Sequence, residues 1–230
     1  MQYLLDTANL DQIRECFDLY PIEGVTTNPS ILKAEGDVPL GAHLRAIRAL
    51  CGPTRSLHVQ LLARDSDGLL GEAARVAALL GPETYVKIPV TEQGLKAIRL
   101  LKARGVRVTA TSVYSLAQGL LAVAAGADYL APYCNRMEAL EIDFRNVIED
   151  LRALIDRDGY ATRIVAASFK NMGQVNDALA CGAHAVTLAP DLLRAPCASP
   201  LVRDTVSAFE KDFAIGHGAQ DLIGALEEGV

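Results

Sequence analysis

The feature of this 230-residue chain that most restricts its fold is a repeated alternation. Short apolar runs rich in Val, Ile, Leu and Tyr give way, eight times over, to longer stretches with helical spacing. The runs are Gln2–Asp6, Gly24–Thr27, Leu57–Leu61, Tyr85–Pro89, Arg107–Thr111, Tyr129–Tyr133, Arg163–Ser168 and Ala185–Leu188. The stretches between them carry helix boundary signals. Thr91, Glu92 and Gln93 open one that closes on Lys102, Arg104 and Gly105, with cations in the last turn and a glycine just beyond. Gly126 and Gly182 close two more and lead within a few residues into the next apolar run. Parallel strands need a crossover connection and a helix supplies it, so strict alternation predicts a parallel sheet.

Eight β/α units admit either a closed barrel or an open, doubly wound sheet. A dinucleotide-binding open sheet should carry GxGxxG after its first strand, where this chain reads LLDTANL without a glycine. The expected architecture is therefore a single (β/α)8 TIM barrel over residues 1–213, with a C-terminal helical extension over 214–230. At 50% hydrophobic and 22% charged residues the chain is too apolar for disorder. A domain of this size buries roughly 70% of its unfolded surface, enough for a core without disulfides or metal.

Composition also excludes partners. The five cysteines lie far apart, with no CxxC and no Cys/His zinc spacing, which reads as reduced thiols with neither a disulfide framework nor a structural metal site, and the imine chemistry considered below needs no metal or other cofactor. A net charge of −6 with no basic stretch argues against nucleic acid or an anionic membrane surface. No apolar run approaches the roughly 18 to 20 residues of a membrane span, and MQYLLDTANLDQ has an acid where a signal peptide carries its basic region. A cytoplasmic protein is the expectation.

In such a barrel the C-terminal strand ends face one mouth. Those ends supply Asp6, Thr26 and Asn28, Gln60, Lys87, Thr111, Tyr133 with Arg136, and Ser168 with Lys170: seven of the eight strands, all but the last. Asp6 and Asn28 could each be a helix or turn cap, and Thr26 and Thr111 could satisfy nearby backbone. Lys87 is harder to explain in that way, because TYVKIPV sets an ammonium in an apolar run. Desolvation lowers a lysine's pKa, and a partly neutral lysine can form an imine with a carbonyl, whereas a structural reading pairs it with Asp6 or turns it to solvent. Arg136, Ser168 and Lys170 have the composition of a phosphate site, or else Arg136 and Lys170 are loop cations balancing Glu138 and Asp177. Together these groups suit carbon–carbon chemistry on a phosphorylated sugar.

The segments LLDTANL, GVTTNPSIL, YVKIPVT, TATSVYSLAQGLLAVAAGADYLAPYCNR and VAASFKN, in this order, resemble the small transaldolase family, and most closely its fructose-6-phosphate aldolase branch. The resemblance implies a class I aldolase whose Schiff-base lysine falls at Lys87. It implies that Asp6, Thr26 and Asn28 place substrate hydroxyls and that Arg136, Ser168 and Lys170 hold the phosphate. It also implies a homo-oligomer, a ring of five or two stacked rings, in which a C-terminal helix packs on a neighbouring subunit; the tail bearing Leu222, Ile223 and Leu226 on one helical face would serve, although the same stripe could pack on its own barrel. Transaldolases similar to this sequence have glutamate at the third-strand position and phenylalanine after the sixth strand; here Gln60 and Tyr133 stand there. With no carboxylate at position 60, proton transfer would pass to the Tyr133 phenol through a water held by Gln60 and Thr111. The implied reaction cleaves or forms fructose 6-phosphate from dihydroxyacetone and glyceraldehyde 3-phosphate. The alternatives are a transaldolase and a non-catalytic sugar-phosphate binding protein. Cys134, between Tyr133 and Arg136, is expected to pack rather than react.

Overall fold

The computed structural model describes residues 1–217 and 221–227. Residues 218–220 and 228–230 of the expected 214–230 extension lie outside the described residues. Residues Met1–Pro190 form one compact unit, and a second begins at Asp191.

In the first unit eight parallel strands close into a barrel in sequence order. They are β1 (Gln2–Asp6), β2 (Ile22–Thr26), β3 (Ser56–Gln60), β4 (Tyr85–Pro89), β5 (Val108–Val113), β6 (Tyr129–Pro132), β7 (Arg163–Ala166) and β8 (Ala185–Leu188). All eight expected runs are strands, shifted by a few residues at some ends. Helices fill the intervals and start from side-chain caps: Asn9, Asn28, Asp65, Thr91, Ser115, Asp143 and Asn171 each accept from a backbone N–H in the following first turn. Gly126 and Gly182, at φ +90° and +99°, end helices in the left-handed region that only glycine enters cheaply.

Alternation along each strand, combined with the register between strands, stacks the inward side chains in layers of four drawn from alternate strands. Gly24, Tyr85, Tyr129 and Ala185 form a low layer in which two tyrosines face two minimal residues. A Cβ on Gly24 would sit 2.1 Å from Ser56 Oγ, so this position has no room for a side chain. Above it lie Leu4, His58, Thr109 and Val165, then Thr26, Lys87, Ala131 and Thr187. Asp6, Gln60, Thr111 and Ala167 come next, near the mouth. The polarity of the interior thus rises toward the C-terminal end of the strands. Outward-facing Leu5, Val25, Leu57, Ile88, Ala110 and Leu130 are fully buried under the helices.

His58 is a buried polar residue in the middle of the barrel. Its ring stacks on Tyr85 at 4.5 Å, lies edge-on to Tyr129, and bonds Thr109 Oγ1 at 2.8 Å and Ser56 Oγ at 3.1 Å. Burial first, then the Lys87 charge, drive its pKa down to about 3, so the ring is neutral at pH 7. An imidazole released by unfolding titrates near 6.5, so the unfolded chain takes up the proton first. The stability His58 contributes is therefore intact above pH 6.5 and is lost as pH falls toward 3. Between pH 7 and pH 4 this one group is expected to cost the fold on the order of 3 kcal/mol. Urea unfolding of wild type and His58→Gln at both pH values checks this: the variant, less stable at pH 7, should lose about 3 kcal/mol less on acidification. Equal losses would assign the acid sensitivity elsewhere.

The second unit contains the helices Pro200–His217 and Leu222–Glu227. Val202, Val206 and Phe209 form an exposed apolar stripe on the first, and Leu222, Ile223 and Leu226 are exposed on the second. None of the described helices is long and apolar enough to cross a membrane.

Candidate active site

The mouth at the C-terminal strand ends is a cavity of about 310 Å³. Asp6, Asn28, Gln60, Lys87, Tyr133, Arg136 and Ser168 line it, together with Pro29, Ser30, Ser112 and Ala167. Seven of the ten predicted site residues therefore meet in one place. Thr26 and Thr111 stand directly behind wall residues, and Lys170 is exposed outside the cavity, its backbone N–H donating to Gln174 Oε1 at 2.8 Å.

Lys87 rises from the second layer below the rim and is 5% exposed. Its ammonium donates to the Thr27 carbonyl at 3.0 Å. That carbonyl is itself fixed, because the Thr27 N–H donates to the His58 carbonyl at 2.9 Å and the Thr27 hydroxyl donates to it at 3.2 Å. Burial lowers the lysine's pKa, and the Asp6 charge opposes that shift through space. Asp6 responds in mirror image: burial raises its pKa, while Lys87 and the Thr26 hydroxyl, which donates to Oδ1 at 2.6 Å, pull it down. A desolvated amine with one carbonyl partner and one remote counter-charge is suited to lose a proton and attack an electrophile.

Across the cavity the Tyr133 phenol and the Thr111 hydroxyl share a hydrogen bond at 2.8 Å. The Arg136 guanidinium lies over the Tyr133 ring at 5.0 Å and donates to the Tyr114 phenol at 3.3 Å, and Tyr114 meets Tyr133 edge to face. The alternative partners considered for Arg136 and Lys170 are occupied: Arg145 pairs with Glu138 at 3.3 Å and with Asp177 at 2.9 Å. Arg136 is thereby left at the cavity wall as a cation with phenolic neighbours.

Backbone irregularity builds the rest of the wall. The β5–β6 register slips between Ala110 and Val113, placing one extra residue in β5, and Ser112 there has φ +58°. Ser168, at φ +63°, turns its carbonyl to accept the Asn135 N–H at 2.8 Å at the start of the short helix Cys134–Glu138, which carries Arg136. A non-glycine residue in the left-handed region costs roughly 1–2 kcal/mol, and both serines in that conformation line this cavity. Asn28 has two uses: Oδ1 accepts from Ser30 and Ile31 N–H at 3.0 Å as a helix cap, and the side chain also borders the cavity.

Cys134 is fully buried, and its thiol is pushed up to about 12 by burial, which leaves it unreactive. Among the described residues no group of three or more His, Cys, Asp or Glu side chains is placed to hold a metal ion.

The model of the Transaldolase/Fructose-6-phosphate aldolase family matches residues 3–228. The chain belongs to the transaldolase/fructose-6-phosphate aldolase family. It is 46% identical over 222 residues to a protein of Streptococcus pneumoniae (strain ATCC 700669 / Spain 23F-1) described as "Probable fructose-6-phosphate aldolase". The match covers 96% of this chain and all of that relative. For a member of this family, a buried lysine facing a carboxylate, an amide and a phenol is the arrangement that demands a chemical account.

Proposed function

We propose that this family member is a class I aldolase that makes and breaks fructose 6-phosphate through an imine on Lys87. The observation that carries the proposal is the desolvated Lys87 amine opening onto a cavity whose far wall holds the hydrogen-bonded Tyr133–Thr111 pair. In the cleavage direction, Lys87 Nζ attacks the ketone carbon and water leaves, giving the protonated imine. Tyr133, acting through a water held by Gln60 and Thr111, removes the proton of the fourth-carbon hydroxyl. The bond between carbons three and four breaks, its electron pair moving into the imine to form an enamine. Glyceraldehyde 3-phosphate departs from the side of Arg136 and Ser168, with Lys170 at the outer edge as a further cation for the phosphate. Protonation of the enamine at carbon three and addition of water return the amine and release dihydroxyacetone. Asp6 and Asn28 hold the hydroxyls of the three-carbon unit.

Gln60 and Tyr133 favour the aldolase over the transaldolase reading, because they assign proton transfer to a phenol rather than to a carboxylate. The expected result is that the protein condenses free dihydroxyacetone with glyceraldehyde 3-phosphate to fructose 6-phosphate, read by coupled enzymatic assay. Failure to condense, alongside efficient transfer from fructose 6-phosphate to erythrose 4-phosphate, would make it a transaldolase. Binding without either reaction and without an adduct after reduction would make it a non-catalytic binder. The exposed apolar stripes of Pro200–His217 and Leu222–Glu227 support a homo-oligomer, pentameric or decameric, in which the tails cover one another's apolar faces.

A further inference from the structure

The eighth strand brings no residue to the cavity wall, yet it carries a buried hydroxyl bonded to the machinery. Thr26 Oγ1 lies 2.6 Å from Asp6 Oδ1, to which it donates, and 2.7 Å from Thr187 Oγ1. Thr26 has one hydroxyl proton. Having given it to the carboxylate, Thr26 can only accept from Thr187, so the three groups form a one-way chain from Thr187 through Thr26 to Asp6. Both threonines are 2% exposed, and in so dry a setting each bond of a chain polarises the next.

We propose that Thr187 is a positioning residue for Asp6: its donated hydrogen bond fixes the Thr26 hydroxyl rotor toward the carboxylate and favours the ionised carboxylate beside Lys87. The assignment rests on the aldolase reading only for its effect on turnover; the effect on Asp6 stands apart from it. Among the described residues, the elements packed around Asp6 bring a single charge to it. Lys87 faces it from β4, β2 and β8 contribute the hydroxyls of Thr26 and Thr187, and β3 contributes the neutral amide of Gln60 and, lower down, the neutral ring of His58. With so few groups to hold its charge, the carboxylate is sensitive to the loss of one donor in its chain. The same bond gives the otherwise silent eighth strand a share in the site and closes the ring of strands functionally as well as structurally.

The test compares Thr187→Val, which keeps the shape and removes the donor, with Thr187→Ser, which keeps the donor. Two readouts are taken. The first is the titration of the Asp6 carboxyl by carbon NMR of aspartate-labelled protein, assigned with Asp6→Asn. In Thr187→Val it should move upward by about half to one pH unit and in Thr187→Ser stay at the wild-type position. The second is the pH profile of kcat/KM for fructose 6-phosphate cleavage, whose acid limb should move by the same amount with a loss of roughly 3- to 10-fold at its foot. An unmoved Asp6 titration in Thr187→Val overturns the proposal, as does a serine variant that shifts like the valine one, since the methyl group and not the donor would then matter. A protein that shows the NMR shift but cleaves no sugar would refute the aldolase reading alone. Should the valine variant not fold, Thr187→Ala serves in its place with the same expectations.

Discussion

Lys87→Met is expected to abolish borohydride trapping of dihydroxyacetone and to lower kcat for fructose 6-phosphate cleavage by roughly 10⁴-fold or more, the scale seen when an enzyme loses its nucleophile. Methionine nearly matches lysine in length but offers no lone pair able to form an imine. The expected effect on stability separates this chemical role from a structural one. Lysine in the wild type is kept in a dry layer between Thr26, Ala131 and Thr187 at the cost of desolvation, with one carbonyl bond as direct compensation. A thioether there carries no such cost, while the Thr27 carbonyl loses its donor, which is worth about 1 kcal/mol. The thermal midpoint should consequently stay near that of wild type or rise, and Asp6, deprived of its counter-charge, should take up a proton more readily. Intact-protein mass after reduction with dihydroxyacetone present reads the adduct directly. A variant that still acquires the adduct would place the nucleophile elsewhere, and one that fails to fold would return Lys87 to the structural reading.

Tyr133→Phe is expected to lower kcat for cleavage by about 10²- to 10⁴-fold, the usual range for loss of a general acid–base group, while leaving trapping at Lys87 intact. The phenyl ring keeps its contacts with Tyr114 and Arg136, so the wall of the cavity survives. What is lost is the hydroxyl and its 2.8 Å bond to Thr111, a residue with no exposed surface. The orphaned threonine hydroxyl costs roughly 1–3 kcal/mol of stability, enough to see in a melt and far too little to unfold a barrel of this size. Stopped turnover with persistent trapping is the signature of a proton-transfer residue. If cleavage continued at the wild-type rate, the phenol would be only a wall and Gln60 would have to organise the transfer.

Most of the architecture was legible because it is written in local pattern. A strand buried on both faces reads as an apolar run, and a helix returning antiparallel to it reads as a capped amphipathic stretch. Eight such pairs without a dinucleotide fingerprint leave few solutions. Lys87 was legible for the same reason, since an ammonium inside YVKIPV breaks the pattern. Strand ends were less exact. β2 starts at Ile22 rather than Gly24, and the last polar residues of β6 and β7 lie beyond the regular ladder, because the end of a strand is decided by its neighbours' register.

Three features of the site were not legible. Period-two alternation turns Ser112 away from the barrel once Thr111 points inward; only the slipped register of β5 brings both to the same side. Thr187 looks like any β-branched strand residue, and its tie to Thr26 joins positions 161 residues apart in the chain. Ser168 and Lys170 both follow β7 within one loop, yet the left-handed turn at Ser168 leaves the serine on the wall and the lysine, two residues further on, outside.

The amino-acid order by itself determined the number and kind of elements, the parallel crossover plan, the lysine out of place in an apolar strand, and the ring of polar residues at one end of the strands, because each depends on residues within a turn or a strand of one another. Closure decided the rest. Which hydroxyl donates to Asp6, which carbonyl holds the Lys87 amine, and which serines face the cavity all depend on stagger between strands distant in sequence, and that stagger exists only once the eighth strand has paired with the first.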